Sequence, residues 1–211
     1  ASPGENIRSC TGNSGYQSWD GSSMASPVAA SVFGLLKSKH MDWNNDMIMT
    51  MVLETADPII YDVNSENYLQ GMLGRGRVDA FKALTTPLFP NIEYVGEDLI
   101  ILDDIDGHIN PGEQIELTVI LLNNPNWGEA IDASFILSST NSNITIANPD
   151  IYIGNINPGD VGMNIENPFL ISFNSNISDS LVEVNLNFVS NLQDYIQYTT
   201  SIPILFEIHE N

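Results

Sequence analysis

The fold of the first part of the chain is decided by one run of residues, Asp20-Gly21-Ser22-Ser23-Met24-Ala25-Ser26-Pro27. It leads into residues 28–36, which are so uniformly apolar that almost no polar stripe remains. We therefore predict a helix over Ser23–Lys39 that is buried on all sides. Lys37 and Lys39 close this segment, where cations suit the negative end of a helix dipole.

A serine at the start of such a helix can do chemistry. Its hydroxyl is held at a fixed point, and its backbone N–H joins the unsatisfied donors that can bind an oxyanion. An ordinary N-cap role explains the same residues without any chemistry. The residues alone leave both interpretations of Ser22 and Ser23 open.

The run Gly21–Pro27 resembles the nucleophile motif of the subtilisin family of serine proteases, usually written G-T-S-M-A-x-P. Three more segments resemble this family in the same order along the chain: the A-P-G-x-x-I segment (residues 2–7), the helix end and following cap (residues 36–44) and the closing G-x-G-x-[VI]-[ND]-A (residues 74–80). The resemblance implies a serine endopeptidase that cleaves protein or peptide substrates through an acyl-enzyme on Ser23. It also implies that Ser22 and Ser23 support the oxyanion, and it requires no cofactor.

The other catalytic groups of the family are expected upstream of this chain, in the order Asp, His, oxyanion Asn and then Ser. His40 cannot replace the missing base, because 17 helical positions at 1.5 Å each put it roughly 25 Å from Ser23. Asp20 is interpreted as a solvated loop acid. We therefore expect the isolated chain to be inactive. The alternative is a non-catalytic fragment or pseudoprotease whose second domain serves binding or adhesion.

Two further helices follow the first. Asn44 is a plausible N-cap for a helix that ends before Asp57-Pro58, and residues 77–84 form a short third helix with Val78, Phe81 and Leu84 on one side. After residue 88 the pattern changes to short β-rich runs separated by turns. We predict strands at residues 99–102, 114–122, 131–137, 151–153, 169–173, 181–189 and 195–208, the last interrupted by Pro203.

Strands without intervening helices predict a β-sandwich. The expected domains are thus 1–88, the C-terminal portion of a subtilisin-like catalytic domain, and 89–211, a sandwich. The fold class is α/β, mostly helices within this chain, plus an all-β sandwich. The turn before the second predicted strand resembles the D-G-x-x-x-P-G-E turn of CARDB-like or immunoglobulin-like accessory domains.

That turn also has the alternating oxygen donors of a calcium loop, because a hard cation needs several oxygens around a sharply turned backbone. The candidate ligands for Ca²⁺ are Asp104, Asp106, Asn110 and Glu113. A plain acidic turn between strands explains the same residues.

Charge divides the chain at nearly the same place. The net charge is −21, yet all six Lys and Arg residues lie in the first 82 positions, and the other 129 carry 18 acids with no Lys or Arg. Such a surface repels phosphate, so nucleic acid is excluded as a partner. Without a run of 18 apolar residues, no membrane span is expected. The acidity suits a secreted or cell-surface protein.

Overall fold

A computed structural model describes residues 1–12, 14–102, 106–192 and 197–209. The chain forms two compact units, Ala1–Leu88 and Phe89–Asn211. The expectation of mostly helices is wrong, because strands hold 42% of the residues and helices 20%. Even the first unit opens with strands.

The first unit consists of a hairpin followed by short helices. The hairpin pairs β1 (Ile7–Thr11) with β2 (Gly15–Trp19) in antiparallel register, Ile7 facing Trp19. The helices are α1 (Ser22–Lys39), α2 (Asn45–Glu54), α3 (Ile60–Val63) and α4 (Ala80–Thr85), with a 3-10 turn at Asn67–Leu69. The predicted N-cap of α2 is confirmed, since the Asn44 side chain accepts the Met47 N–H at 2.9 Å.

Helix α1 is much less buried than its composition predicts. Among its 18 residues only Val32 and Leu36 are buried, whereas Phe33 is 36% and Leu35 48% exposed. The buried hydrophobic residues of the described first unit are few: Val32, Leu36, Met47, Ile48, Met51, Val52 and Ala83. They all come from α1, α2 and α4, so the rest of the apolar surface of α1 is uncovered.

Helix α4 begins three residues later than predicted. Arg77 cannot start it, because its backbone pairs with Asp57 in an isolated antiparallel bridge, with N–H···O distances of 2.7 and 2.8 Å. The side chains of the same two residues form an ion pair at 3.2 Å. Asp79 then caps the helix by accepting the Lys82 N–H, and Phe81 lies 76% exposed instead of joining a packed face.

The second unit is built from two antiparallel sheets, as the strand pattern predicts. Its described residues form nine strands: β3 (Ile92–Leu102), β4 (Gln114–Asn123), β5 (Ala130–Ser138), β6 (Ile144–Ile146), β7 (Asp150–Ile156), β8 (Val161–Met163), β9 (Phe169–Phe173), β10 (Leu181–Asn191) and β11 (Gln197–Glu207). One sheet has the order β11-β10-β5-β7 and the other β3-β4-β9-β6, with β8 pairing to β4.

The core of this unit follows from strict alternation along the strands. In β4, Ile115, Leu117, Val119 and Leu121 are fully buried, and the residues between them are not. They join inward residues of both sheets, including Phe135, Phe169, Leu186 and Phe188, in one cluster. This unit therefore contains its own hydrophobic core.

The strand predictions were wrong at three points. Strand β3 begins at Ile92, seven residues early, and the three-residue strands β6 and β8 were missed because so short a run has no readable period. Pro203 does not interrupt β11, because β11 lies at a sheet edge and edge strands tolerate proline. The predicted start of that strand, residue 195, lies outside the described residues.

Candidate active site

Ser23 is the second residue of α1 and is exposed to solvent. The residue that caps the helix is Gly21, with φ 139° and ψ 169°, and no side chain makes a capping hydrogen bond. A residue with a Cβ rarely adopts this backbone conformation, which explains why glycine stands directly before the serine pair. The interpretation of Ser22 or Ser23 as an ordinary N-cap is therefore wrong.

Both serine amides are available as donors. The Gly21 carbonyl accepts the N–H groups of Met24 at 3.0 Å and Ala25 at 3.1 Å, so the helix ladder begins beyond the serines. No described residue accepts the N–H of Ser22 or Ser23, or is bonded to either hydroxyl. The start of α1 thus presents a free hydroxyl and two free amide donors, and unsatisfied N–H groups at a helix start can bind an oxyanion.

Pro27 adds a second irregularity near the nucleophile. It is the sixth residue of α1, beyond the first turn, and it has no N–H to give to the Ser23 carbonyl four residues earlier. The start of α1 therefore lacks one of its ladder hydrogen bonds.

No general base lies beside Ser23 among the described residues of the first unit. Its sole histidine, His40, follows the last residue of α1 and stacks on Trp43, with ring centroids 3.7 Å apart and planes 7° apart. Asp20 is engaged elsewhere, since one carboxylate oxygen accepts the Asn6 N–H at 2.5 Å. Asp20 is exposed, as expected of a solvated loop acid, and this hydrogen bond is an additional feature. Nothing local had indicated the bond, since its partner lies 14 residues away across the hairpin.

The candidate calcium ligands lie partly outside the described residues. Asp104 is not described, whereas Asp106, Asn110 and Glu113 share one turn. Their oxygens already accept hydrogen bonds: Asp106 Oδ1 from the His108 N–H at 3.0 Å and the Asn110 amide at 3.1 Å, and Glu113 Oε2 from the Asn110 N–H at 2.8 Å. The His108 N–H, followed by the Asn110 amide, lowers the pKa of Asp106.

One buried oxygen in this turn has no partner among the described residues. Asn110 is 2% exposed, and its Oδ1 accepts no hydrogen bond from them. The described residues contain no group of three His, Cys, Asp or Glu side chains placed to hold a metal. An acidic turn satisfied by its own N–H groups accounts for most of this geometry, and calcium stays a prediction.

Among the described residues, no helix is long and apolar enough to cross a bilayer.

Comparison with known proteins covers the first unit. Residues 2–78 match the model of the subtilase family. The halolysin-like extracellular serine protease Nep of Natrialba magadii is 41% identical over 86 residues, which are 41% of this chain and 15% of Nep. Bacillopeptidase F of Bacillus subtilis is 34% identical over 86 residues, 40% of this chain and 6% of that protein. The chain therefore spans a small part of these relatives.

The sporulation control protein Spo0M of Bacillus subtilis, a solved structure, covers 54% of this chain and 49% of its own, with 20% identity and a TM-score of 0.27. That score is too low to support any argument about the sandwich. Residues 2–78, which hold Ser23 and its free amide donors, are thus similar to the subtilase family of serine proteases.

Proposed function

We propose that the whole protein is a subtilisin-type serine endopeptidase and that this chain supplies its nucleophile. Residues 1–88 form the C-terminal portion of the catalytic domain, and residues 89–211 form an accessory β-sandwich. The observation that carries the proposal is the exposed Ser23 at the start of α1, with the capping role taken by Gly21 and the serine amides left free.

The reaction follows from this geometry. Ser23 Oγ attacks the carbonyl carbon of a peptide bond while an imidazole from outside the first unit takes its proton. The carbonyl oxygen becomes an oxyanion that accepts the Ser23 N–H, and the imidazole returns the proton to the leaving amine. Water then attacks the acyl-enzyme ester by the same route and frees Ser23. An oriented carboxylate and a second oxyanion donor also come from outside this unit.

The isolated 211-residue chain is then inactive. An unassisted serine hydroxyl is a weak nucleophile, and removing the base from enzymes of this type costs on the order of 10⁶ in kcat. The oxyanion donors at the start of α1 are present but cannot make up that loss.

The test compares two serines of one helix in the whole protein. Ser23→Ala should abolish cleavage of a generic protein substrate and labelling by a fluorophosphonate. Ser26→Ala, three residues further along the exposed start of α1, should retain both. Mass spectrometry should place the label on Ser23. Full activity after Ser23→Ala would mean that the chemistry lies elsewhere, and appreciable labelling of the 211-residue chain would mean that a base exists within it.

Two further assignments belong to this proposal. Secretion or surface display is supported by the acidity of the second unit and by the extracellular location in the name of the relative Nep. The second candidate function is a non-catalytic binding or adhesion module, which the self-contained core of the sandwich favours. Activity that survives deletion of residues 89–211 in the whole protein would assign catalysis and binding to separate units.

A further inference from the structure

The segment Ser2–Asn6 lies against the start of α1 and the two residues before it, and Ser2, Gly4 and Asn6 each form a hydrogen bond there. The Ser2 hydroxyl donates to the Ala25 carbonyl at 2.6 Å. The Gly4 carbonyl accepts the Gly21 N–H at 2.7 Å. The Asn6 N–H donates to Asp20 Oδ1 at 2.5 Å. Only the bond between Gly4 and Gly21 joins two main-chain groups, and each of the other two uses one side chain.

The Asp20 side chain accepts the first hydrogen bond beyond the end of the hairpin ladder. The last paired residues are Ile7 and Trp19, and the next pair outward is Asn6 and Asp20. Asn6 cannot continue the ladder, because its φ of 53° lies in the left-handed region. Its N–H instead finds the Asp20 carboxylate. Asp20 is exposed, so nothing but this bond restrains its side chain among the described residues.

Gly4 brings the segment closer to Gly21 than another residue could. A Cβ on Gly4 would lie 2.9 Å from the Gly21 oxygen and 3.1 Å from the Ala25 Cβ. That same Gly21 oxygen accepts the first N–H groups of the α1 ladder. A shift of Gly21 therefore shifts the end of the helix on which Ser23 lies.

We infer that Asp20 is a positioning residue for the nucleophile. Its carboxylate ties Asn6 to the chain three residues before Ser23, directly before Gly21, and thereby restrains the main chain that leads into the nucleophile. The hydrogen bonds of Gly4 and Ser2 hold Gly21 and Ala25, on either side of Ser23. Catalysis is sensitive to such placement, because a displacement of about 1 Å can cost 10²-fold in rate. This inference rests on the proposed function of Ser23.

The test uses the whole protein with three substitutions. Asp20→Ala removes the acceptor and should lower kcat about 10- to 100-fold with little change in KM. Asp20→Asn keeps an oxygen at the same place and should recover most of that loss. Asp42→Ala removes an exposed acid of the same unit that has no bonded partner among the described residues, and it should behave as wild type. The rate of fluorophosphonate labelling at Ser23 should follow kcat.

A merely structural role would lower the thermal midpoint without separating alanine from asparagine in kcat. The proposal is overturned if the kcat of Asp20→Ala lies within twofold of Asp42→Ala, or if Asp20→Asn is as slow as Asp20→Ala. Gly4→Ala provides an independent variant should Asp20→Ala fail to fold. The new Cβ would press on the Gly21 oxygen from segment 2–6. An unchanged kcat in Gly4→Ala also overturns the proposal. A wild-type protein that is not labelled at Ser23 overturns the proposed function as well, whereas a labelled wild type with unaffected variants overturns the positioning role alone.

Discussion

The two units of this chain differ in how far their apolar residues are buried. In the second unit, the alternating residues of β4 are fully buried, and the inward faces of both sheets join one core. In the first unit, α1 is as apolar as a core helix but buries only Val32 and Leu36. Alternation on a strand requires one covering layer, which the opposite sheet supplies. A helix apolar on all sides needs cover all round.

The comparison predicts different resistance to proteolysis, which is the largest effect expected. Under brief digestion of the 211-residue chain, residues 1–88 should be cut first and a fragment beginning near residue 89 should persist, because cleavage requires local opening and the first unit has few buried contacts. The protease must be chymotrypsin or elastase. Trypsin would spare the second unit in any state, since residues 83–211 contain no Lys or Arg.

Digestion in urea provides the control, because both halves should then be cut. Equal resistance of the two units in buffer would show that the first unit is stable despite its uncovered helix.

A pair of phenylalanines tests the same contrast at single residues. Phe135 is fully buried in β5, whereas Phe81 in α4 is 76% exposed. Phe135→Ala should reduce the free energy of unfolding of the second unit by about 3–5 kcal/mol through lost burial and a residual cavity. Phe81→Ala should change the stability of the first unit by at most about 0.5 kcal/mol. Urea unfolding followed by circular dichroism measures both. A large loss of unfolding free energy for Phe81→Ala would mean that the Phe81 side chain is buried against a partner in solution.

The smallest expected effect concerns the acidic turn between β3 and β4. If Ca²⁺ binds there through Asp106, Asn110 and Glu113, the ion should raise the thermal midpoint of the second unit, because a ligand held by the native state alone stabilises it by mass action. Asp106→Asn should abolish the rise. Asp98→Asn, which removes an exposed acid in β3, should retain it. Equal midpoints in calcium and in chelator, with no saturable heat on titration, would remove the site.

Several elements could be predicted because their signals are local. The cap of α2 and its four buried apolar residues lie within eleven residues, and the structure confirms the predicted cap. The alternation of β4 and β10 likewise needs no knowledge of the partner strand. The start of α4 was misplaced for the converse reason. What delays it is a backbone bridge from Arg77 to Asp57, twenty residues away, and no pattern around residue 77 records that partner.

At the candidate site, the sequence by itself determined the motif, the helix behind it and the identity of Ser23 as the candidate nucleophile, because residue types adjacent in the chain encode these features. Tertiary structure alone decided that Gly21 and not a serine caps α1, and that Asp20 is bonded rather than free. It also decided that segment 2–6 packs against Gly21 and Ala25, at a separation that only a glycine at position 4 permits. The contacts of segment 2–6 join residues that are 14 to 23 positions apart, so they depend on where the hairpin brings the chain back.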